Sequence, residues 1–462
     1  MDYRIEKDPL GEVKVPKDAY YGSWTQRAKE NFQISGRRMP ERFIKAYVVV
    51  KRSAALANMK IGKLDKKIGN AIVKACDELL SGKLMDQFVV DIFQAGAGTS
   101  VNMNVNEVLA NRAIEILGGK KGDYKIVHPN DHVNMSQSTN DTFHTTTHIA
   151  TYLAIDKELM PALNNLQKAF QDKAEEFKNI IKIGRTHLQE AAPVTLGFEF
   201  GAYGSAIGHS IKRVNSVNEA LLELGIGGTA VGSSLNAGPE YVEAVLDELR
   251  RFTGVNWGKS KNFYNANQNQ NVEDEISAAI KAVAVAISKI CSDLRLLTSG
   301  PRTGFGEIIL PAVQPGSSAM PGKINPSMPE MVNMVCFQII GNDAAVTEAA
   351  QAGQLELNVF MPVVANNLIY STEILTNAVN TLVEKCIKGI KANEKRIKEN
   401  LERNLSLSTA LVPYIGYSKA SEVAKKAYAE DKTIRQVCIE MKLFKEKELD
   451  KILDMRKMVG LE

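Results

Sequence analysis

Along most of this chain apolar residues recur at the three-to-four-residue spacing of one helix face. Ile44, Val48, Ala54, Leu56 and Ala57, followed by Ile68, Ile72, Ala75 and Leu79, predict helices between Pro40 and about Gly82. Leu109, Ile114 and Leu117 carry another, entered through the amide-rich run Asn102-Met103-Asn104-Val105-Asn106-Glu107. From about 142 to 393 five long helical patterns dominate. Residues 146–180 keep Ala150, Leu153, Leu159, Leu163, Leu166, Phe170 and Phe177 on one side, and residues 196–224 place Gly197, Gly201, Gly204 and Gly208 three to four apart. Each glycine in a soluble helix costs roughly 1 kcal/mol against alanine, so that face predicts another helix backbone at close approach. Small residues also crowd 274–297 and 330–352, and 362–393 makes a further long helix. Residues 1–40, broken by Pro9, Gly11, Pro16, Gly22 and Gly36, read as an irregular arm, and 394–462 as short charged helical pieces around Pro413 and Gly416. Strand signals are few, and no repeat of roughly 20–50 residues is present.

The pattern predicts an all-α chain in three parts: a mostly helical domain over 1–141, a helical bundle over 142–393 and a small helical domain over 394–462. The Ala/Gly faces are apolar on more than one side, which predicts that the bundle buries itself against other copies as a homo-oligomer.

Composition narrows the classes. The 44% apolar and 24% charged content of the 462 residues is that of a soluble globular protein. A balance of 57 basic against 53 acidic residues, with no basic stripe, argues against nucleic acid as the main partner. No apolar run reaches the roughly 18 residues of a membrane span, and the start, Met1-Asp2-Tyr3-Arg4-Ile5-Glu6, lacks the apolar core of a signal peptide. Five widely spaced cysteines (Cys76, Cys291, Cys336, Cys386, Cys438) predict reduced core thiols and a cytoplasmic location.

Some motifs fail on context. Gly225-Ile226-Gly227-Gly228-Thr229-Ala230 fits a loose dinucleotide fingerprint but follows a helical pattern. Gly258-Lys259-Ser260 lacks the upstream glycine of a P-loop, Thr253 standing in its place. His144 and His148 share a helix face without the glutamate of a zinc hydrolase between them, so a polar face at the helix start is preferred to a metal pair. No cofactor motif and no metal site is expected.

The remaining polar clusters share one character. Thr99-Ser100, Ser138-Thr139-Asn140, Thr186-His187 and the loop Gly316 through Pro326 are rich in hydroxyls and amides, and each borders a long helix. The Ser, Thr, Asn and Asp residues of 136–141 mark a helix N-terminus, whose free N–H groups and positive dipole end suit a carboxylate. In the loop, Gly316 and Gly322 free the backbone to approach a ligand, and Pro321 and Pro326 exclude a helix interior.

Taken together these blocks resemble the fumarase/aspartase superfamily. The loop Gly316-Ser317-Ser318-Ala319-Met320-Pro321-Gly322-Lys323-Ile324-Asn325-Pro326 is similar to its signature. Gly96-Ala97-Gly98-Thr99-Ser100 with Met103-Asn104, His132-Val133-Asn134 with Ser138-Thr139-Asn140-Asp141, and Gly184-Arg185-Thr186-His187-Leu188-Gln189 follow in the superfamily's order. The resemblance runs from Arg4 to the C-terminal part. Gln137-Ser138-Thr139, Met328-Pro329-Glu330 and Gly353-Gln354-Leu355 are worded more like the aspartate ammonia-lyases than the class II fumarases, which usually carry a second serine where Thr139 stands. Departures also occur: Phe198, Glu190, His144, Ser233, Ser234, and Asn271 with Glu273, where Asp and an apolar or aromatic residue are common.

The resemblance implies a carbon–nitrogen lyase without a cofactor that reversibly deaminates L-aspartate to fumarate and ammonium, or, as the alternatives, a fumarate hydratase or a related lyase for another amino acid. It implies Ser317 as the base and His187 beside the leaving group. Ser138, Thr139 and Ser318 would donate to the enediolate, Thr186, Lys323 and Asn325 would hold the second carboxylate, and Thr99 and Asn140 would face the amine. Hydroxyl donors suit an enediolate because they add no negative charge of their own. Backbone N–H groups at Gly316 and beyond, with Lys323, are expected to stabilise the Ser317 alkoxide. The resemblance further implies a tetramer core, with each dicarboxylate site shared between subunits.

Overall fold

The computed structural model describes residues 2–461, mainly helical, with four two-stranded sheets among the described residues. The first of these corrects the reading of the N-terminal arm as irregular. Strands β1 (Tyr3–Asp8) and β2 (Gly11–Pro16) pair antiparallel. The alternation Val13-Lys14-Val15 buries two valines and leaves the lysine outside, a period-2 signal too short to stand out against the prolines. Arg4 then fastens the hairpin by donating to the carbonyls of Pro16, Ala19 and Tyr21 at 2.9, 2.8 and 2.6 Å.

Helix α1 (Ser23–Asn31) has no side-chain cap of its own. Its first N–H groups go instead to the buried carboxylate of Glu107. Gly22, Trp24 and Thr25 donate from the backbone at 2.8, 2.9 and 3.1 Å, and the Thr25 hydroxyl donates at 2.6 Å. Helices α2 (Glu41–Lys60), α3 (Lys66–Leu80) and α4 (Thr99–Ile116) follow the predicted apolar faces. After them come α5 (Thr139–Ala154) and α6 (Met160–Glu176).

A second correction falls inside the segment read as a bundle. Strands β3 (Ile181–Thr186) and β4 (Gln189–Thr195) form an antiparallel hairpin between α6 and α7 (Leu196–Asn218). Beyond α7 lie α8 (Pro239–Thr253), α9 (Phe263–Gln268), α10 (Asn271–Leu297), α11 (Ser327–Gln351) and α12 (Met361–Lys385); α10 and α11 keep within a few residues of their predicted bounds, whereas α12 ends at Lys385, short of the expected 393.

The chain forms two compact units, each assembled from segments distant in sequence. The first comprises the chain to Met160, Lys212–Ala282 and Phe337–Leu375. Its core joins Phe43 and Tyr47 of α2, Ile72 of α3, Leu109 of α4, Phe143 of α5 and Tyr241 of α8. The Phe43 and Phe143 rings lie 4.8 Å apart, with Tyr47 edge-on to Phe143. The second comprises Pro161–Ile211, Val283–Cys336 and the chain from Thr376. Here the glycine face of α7 meets α6 as predicted: a Cβ on Gly197 would come within 2.6 Å of the Ala174 carbonyl. Phe170, Phe177, Phe200 and Tyr203 stack beside that contact. The C-terminal helices gather around Leu411, Val423, Val437 and Leu449. All five cysteines are free and buried, and no described helix is long and apolar enough to cross a membrane.

Burial pushes the Glu107 carboxyl up to about 7 while its four donors pull it back down. Replacing it by Glu107→Leu strands three backbone donors at roughly 1–3 kcal/mol each. The expected outcome is a loss of more than about 3 kcal/mol in urea unfolding; a loss below about 1 kcal/mol would show that the N-terminal segment does not depend on this carboxylate.

Candidate active site

The first unit carries the polar start of α5. Ser138 is its N-cap: the hydroxyl oxygen accepts the Asn140 N–H at 3.2 Å, and the Ser138 N–H donates to Asp141 Oδ1 at 2.9 Å, closing a capping box. Asp141 Oδ2 is occupied as well, by the N–H groups of Gly227 and Thr229 at 2.9 Å each. The glycine-rich run that mimics a nucleotide fingerprint thus holds an anion of its own chain. Burial raises the Asp141 carboxyl to about 6 against the pull of these donors. Asn140 donates through Nδ2 to the Ala230 carbonyl at 2.7 Å, which leaves its amide oxygen as an acceptor. Thr139 is almost buried in the same first turn.

Thr99 reaches this region because of Gly98. That residue has φ +81°, and a Cβ on it would sit 2.0 Å from the Phe143 ring, one turn into α5. The start of α4 therefore lies against α5, the helix whose first turn carries Thr139 and Asn140 after the Ser138 cap. Behind them the buried ammonium of Lys51 donates to Asn134 Oδ1 and Gln137 Oε1 at 2.9 and 3.0 Å. Asn102 and Asn106 donate to the same Asn134 oxygen. Burial pulls the Lys51 ammonium down to about 7. The loop entering Ser138 is knotted around this cation.

The second unit carries the other group. Thr186 pairs with Gln189 across the β3–β4 hairpin, so His187 and Leu188 form a two-residue turn with φ +56° and +60°. Such turns favour Asn-Gly because both positions are left-handed. Filling them with His and Leu costs on the order of 1–2 kcal/mol per residue, and the strain places an exposed imidazole at a hairpin tip. The hairpin is anchored beneath by a buried charge cluster. Glu307, fully buried, takes Arg185 at 2.7 Å and Lys182 at 3.1 Å, and Lys182 also lies 3.3 Å from Glu199.

The 316–326 loop closes on itself. The Gly316 N–H donates to the Lys323 carbonyl at 2.9 Å, and Asn325 Nδ2 donates to the Gly316 carbonyl at 2.6 Å. This corrects the expectation that the Gly316 N–H serves the alkoxide. The donors to Ser317 Oγ are the N–H groups of Ala319 and Met320, at 3.2 and 3.0 Å. Two N–H dipoles aimed at one hydroxyl oxygen stabilise negative charge there. Ser318 and Lys323 are exposed on the same loop, and Gln314, Pro315, Ser317 and Lys323 line a shallow hollow of about 410 Å³.

Family models described as lyase and as fumarase C C-terminus match residues 11–341 and 407–460. An aspartate ammonia-lyase of a Bacillus species is 50% identical over 457 residues, covering 99% of this chain and 97% of that one. A class II fumarate hydratase of Campylobacter jejuni is 46% identical over 460 residues, covering 100% and 99%. The chain belongs to the fumarase/aspartase superfamily. Among solved structures, the cobalt-bound fumarate lyase/delta crystallin of Brucella melitensis superposes with a TM-score of 0.94 at 46% identity, over 99% of both chains. The class II fumarase of Schistosoma mansoni gives 0.95 at 36%, again over 99% of both.

Several departures of this lyase from the superfamily pattern have physical accounts. Glu190 accepts the Leu405 N–H at 2.8 Å, tying β4 to the C-terminal helical turn. Ser234, where glycine is usual, sits at φ +58° and donates its N–H to the Gly228 carbonyl. His144 and Glu273 are buried about His148, which corrects the reading of the two histidines as a polar face. Nothing in the structure explains Phe198, Ser233 or Asn271. Sequence reasoning gave no role to Lys51, Asn134, Gln137, Lys182 or Glu307. Their signal was a charge or amide inside an otherwise apolar stretch, readable only once its partners are known.

Relieving the hairpin strain tests its size. Leu188→Gly removes a left-handed penalty but adds unfolded-chain entropy, for a net gain of roughly 0.5–1 kcal/mol in urea unfolding. A loss of stability would mean that the turn is unstrained.

Proposed function

We propose that this lyase reversibly deaminates L-aspartate to fumarate and ammonium. The observation that carries the amine is the orientation of Asn140. With Nδ2 bound to the Ala230 carbonyl, the group left to meet a substrate is an acceptor. An ammonium offers donors alone, and such an oxygen suits it better than it suits a hydroxyl, whose own lone pairs would also face it. Thr139 and the 50% identity to an aspartate ammonia-lyase support the same reading.

In this reaction Ser317 removes the C3 proton, its oxyanion held by the N–H groups of Ala319 and Met320. The charge passes to the adjacent carboxylate as an enediolate, where Ser138, Thr139 and Ser318 donate. Thr186, Lys323 and the remaining amide hydrogen of Asn325 hold the other carboxylate. Thr99, Asn140 and His187 face the amine as the C2–N bond breaks and ammonia leaves. The enzyme works in the cytoplasm as a homotetramer whose subunits share each site. Hydration of fumarate is the second reading, supported by the class II fumarate hydratases at 45–46% identity; it uses the same enediolate with water in place of ammonia.

Fumarate absorbance followed with L-aspartate, and in reverse with fumarate plus or minus ammonium, separates the two. Ammonium-dependent loss of fumarate is expected; loss independent of ammonium overturns the assignment. Ser317→Ala is expected to lower turnover by at least about 10³-fold with unfolding unchanged. Turnover within tenfold of wild type would remove Ser317 from the base role.

A further inference from the structure

The amine end of the site rests on a turn, and that turn is held from behind by residues with no part in the chemistry above. Thr229 has φ +59°, a left-handed conformation that a β-branched residue adopts only under constraint. Two bonds constrain it. Its N–H goes to Asp141, and its carbonyl accepts Asn267 Nδ2 at 3.0 Å. Because the Asn267 amide group faces a carbonyl, its Oδ1 faces His144, whose Nε2 lies 3.2 Å away. That nitrogen must therefore carry the proton and donate. Asn267 and His144 are both buried, and Gly225 leaves the space, since a Cβ there would come within 2.2 Å of the His144 ring.

The neighbouring histidine fixes the charge state. His148 has an acceptor at each ring nitrogen, the Glu223 carbonyl 3.0 Å from Nδ1 and Glu273 Oε1 3.1 Å from Nε2. The Glu223 carbonyl and the buried Glu273 carboxylate, at ion-pair distance, therefore favour the imidazolium form of His148. Its charge and the burial hold the nearby His144 imidazole neutral, with its pKa pulled down to about 4. His144 is thereby kept as a one-proton donor aimed at Asn267.

We propose that His144 and Asn267 are positioning residues for the amine end of the site: they hold the Gly227–Ala230 turn so that Asn140 turns its amide oxygen to the substrate amine. This rests on the aspartate reading for the identity of the amine. It adds residues the superfamily pattern does not supply, since His144 replaces a common proline and Glu273 a common apolar or aromatic residue.

The test is a kinetic split in the amination direction. In His144→Ala and Asn267→Ala the KM for ammonium is expected to rise by about 10-fold or more, the scale of a misplaced contact, while the KM for fumarate stays within about twofold. A general loosening would move both, and an equal rise in both overturns the proposal, as does no rise in either. His144→Gln, which retains an N–H donor, is expected to restore the ammonium KM and also serves if the alanine variants fold poorly. In the double variant with Asn140→Ala the loss should not exceed that of Asn140→Ala alone, because His144 acts through Asn140. Additive losses overturn it. If the wild-type enzyme ignores ammonium but hydrates fumarate, the aspartate reading falls. The same split, now between the KM values of malate and fumarate, then decides the positioning role.

Discussion

The carboxylate of Asp141 ties the start of α5 to the Gly227–Ala230 turn. It is fully buried, and its two oxygens accept three backbone N–H groups, from Ser138, Gly227 and Thr229. One oxygen starts α5, and so sets where the Ser138 and Thr139 hydroxyls and the Asn140 amide lie. The other captures a turn some ninety residues away, whose Ala230 carbonyl then orients Asn140. Burying a carboxylate without a cation at contact distance is costly, and only donors already fixed by the backbone make it tolerable. Such a group cannot give way slightly. Moving Asp141 breaks the cap and the turn together, so site geometry and local stability are one property here.

Buried charge serves the same end elsewhere in the chain. Glu107 fixes the start of α1, Lys51 gathers the loop before Ser138, and Glu307 clamps Lys182 and Arg185 under the His187 hairpin. Buried ion pairs are poor stabilisers compared with apolar packing, because desolvation offsets most of the attraction. What they supply is a unique arrangement, since each partner has one position in which its bonds are made. Hydroxyls and amides that must be held at fixed positions need that uniqueness more than extra stability.

The helices were legible because their signal is periodic and redundant: losing one apolar residue from α2 or α10 leaves the pattern readable. The hydroxyl clusters were legible because Ser, Thr, Asn and Asp before a periodic run announce a helix start, and Ser138 with Asp141 is such a start. The N-terminal hairpin was not, since two valines in alternation are outweighed by the glycines and prolines that form its turns. Nor was the β3–β4 hairpin, whose turn residues, His187 and Leu188, contradict the usual turn chemistry. Partners were least legible of all. His144, Asn267 and Glu273 are far apart in sequence, and each alone reads as a stray polar residue. Only the fold shows that two unusual residues flank one histidine.

Strain completes the account of the site. Four of the eleven described left-handed residues other than glycine, His187, Leu188, Thr229 and Ser234, lie at the His187 hairpin or at the turn beside Asn140 and the chain just after it. Glycine would relieve each backbone, so at His187 the side chain outweighs the conformational cost. At Thr229 the surrounding bonds impose the conformation, and glycine would gain backbone freedom in the unfolded chain that folding must remove. A strained residue held by Asp141 on one side and Asn267 on the other has little freedom to shift when substrate binds. The turn then acts as a fixed wall beside Asn140. Rigidity is thus built into the turn that orients Asn140.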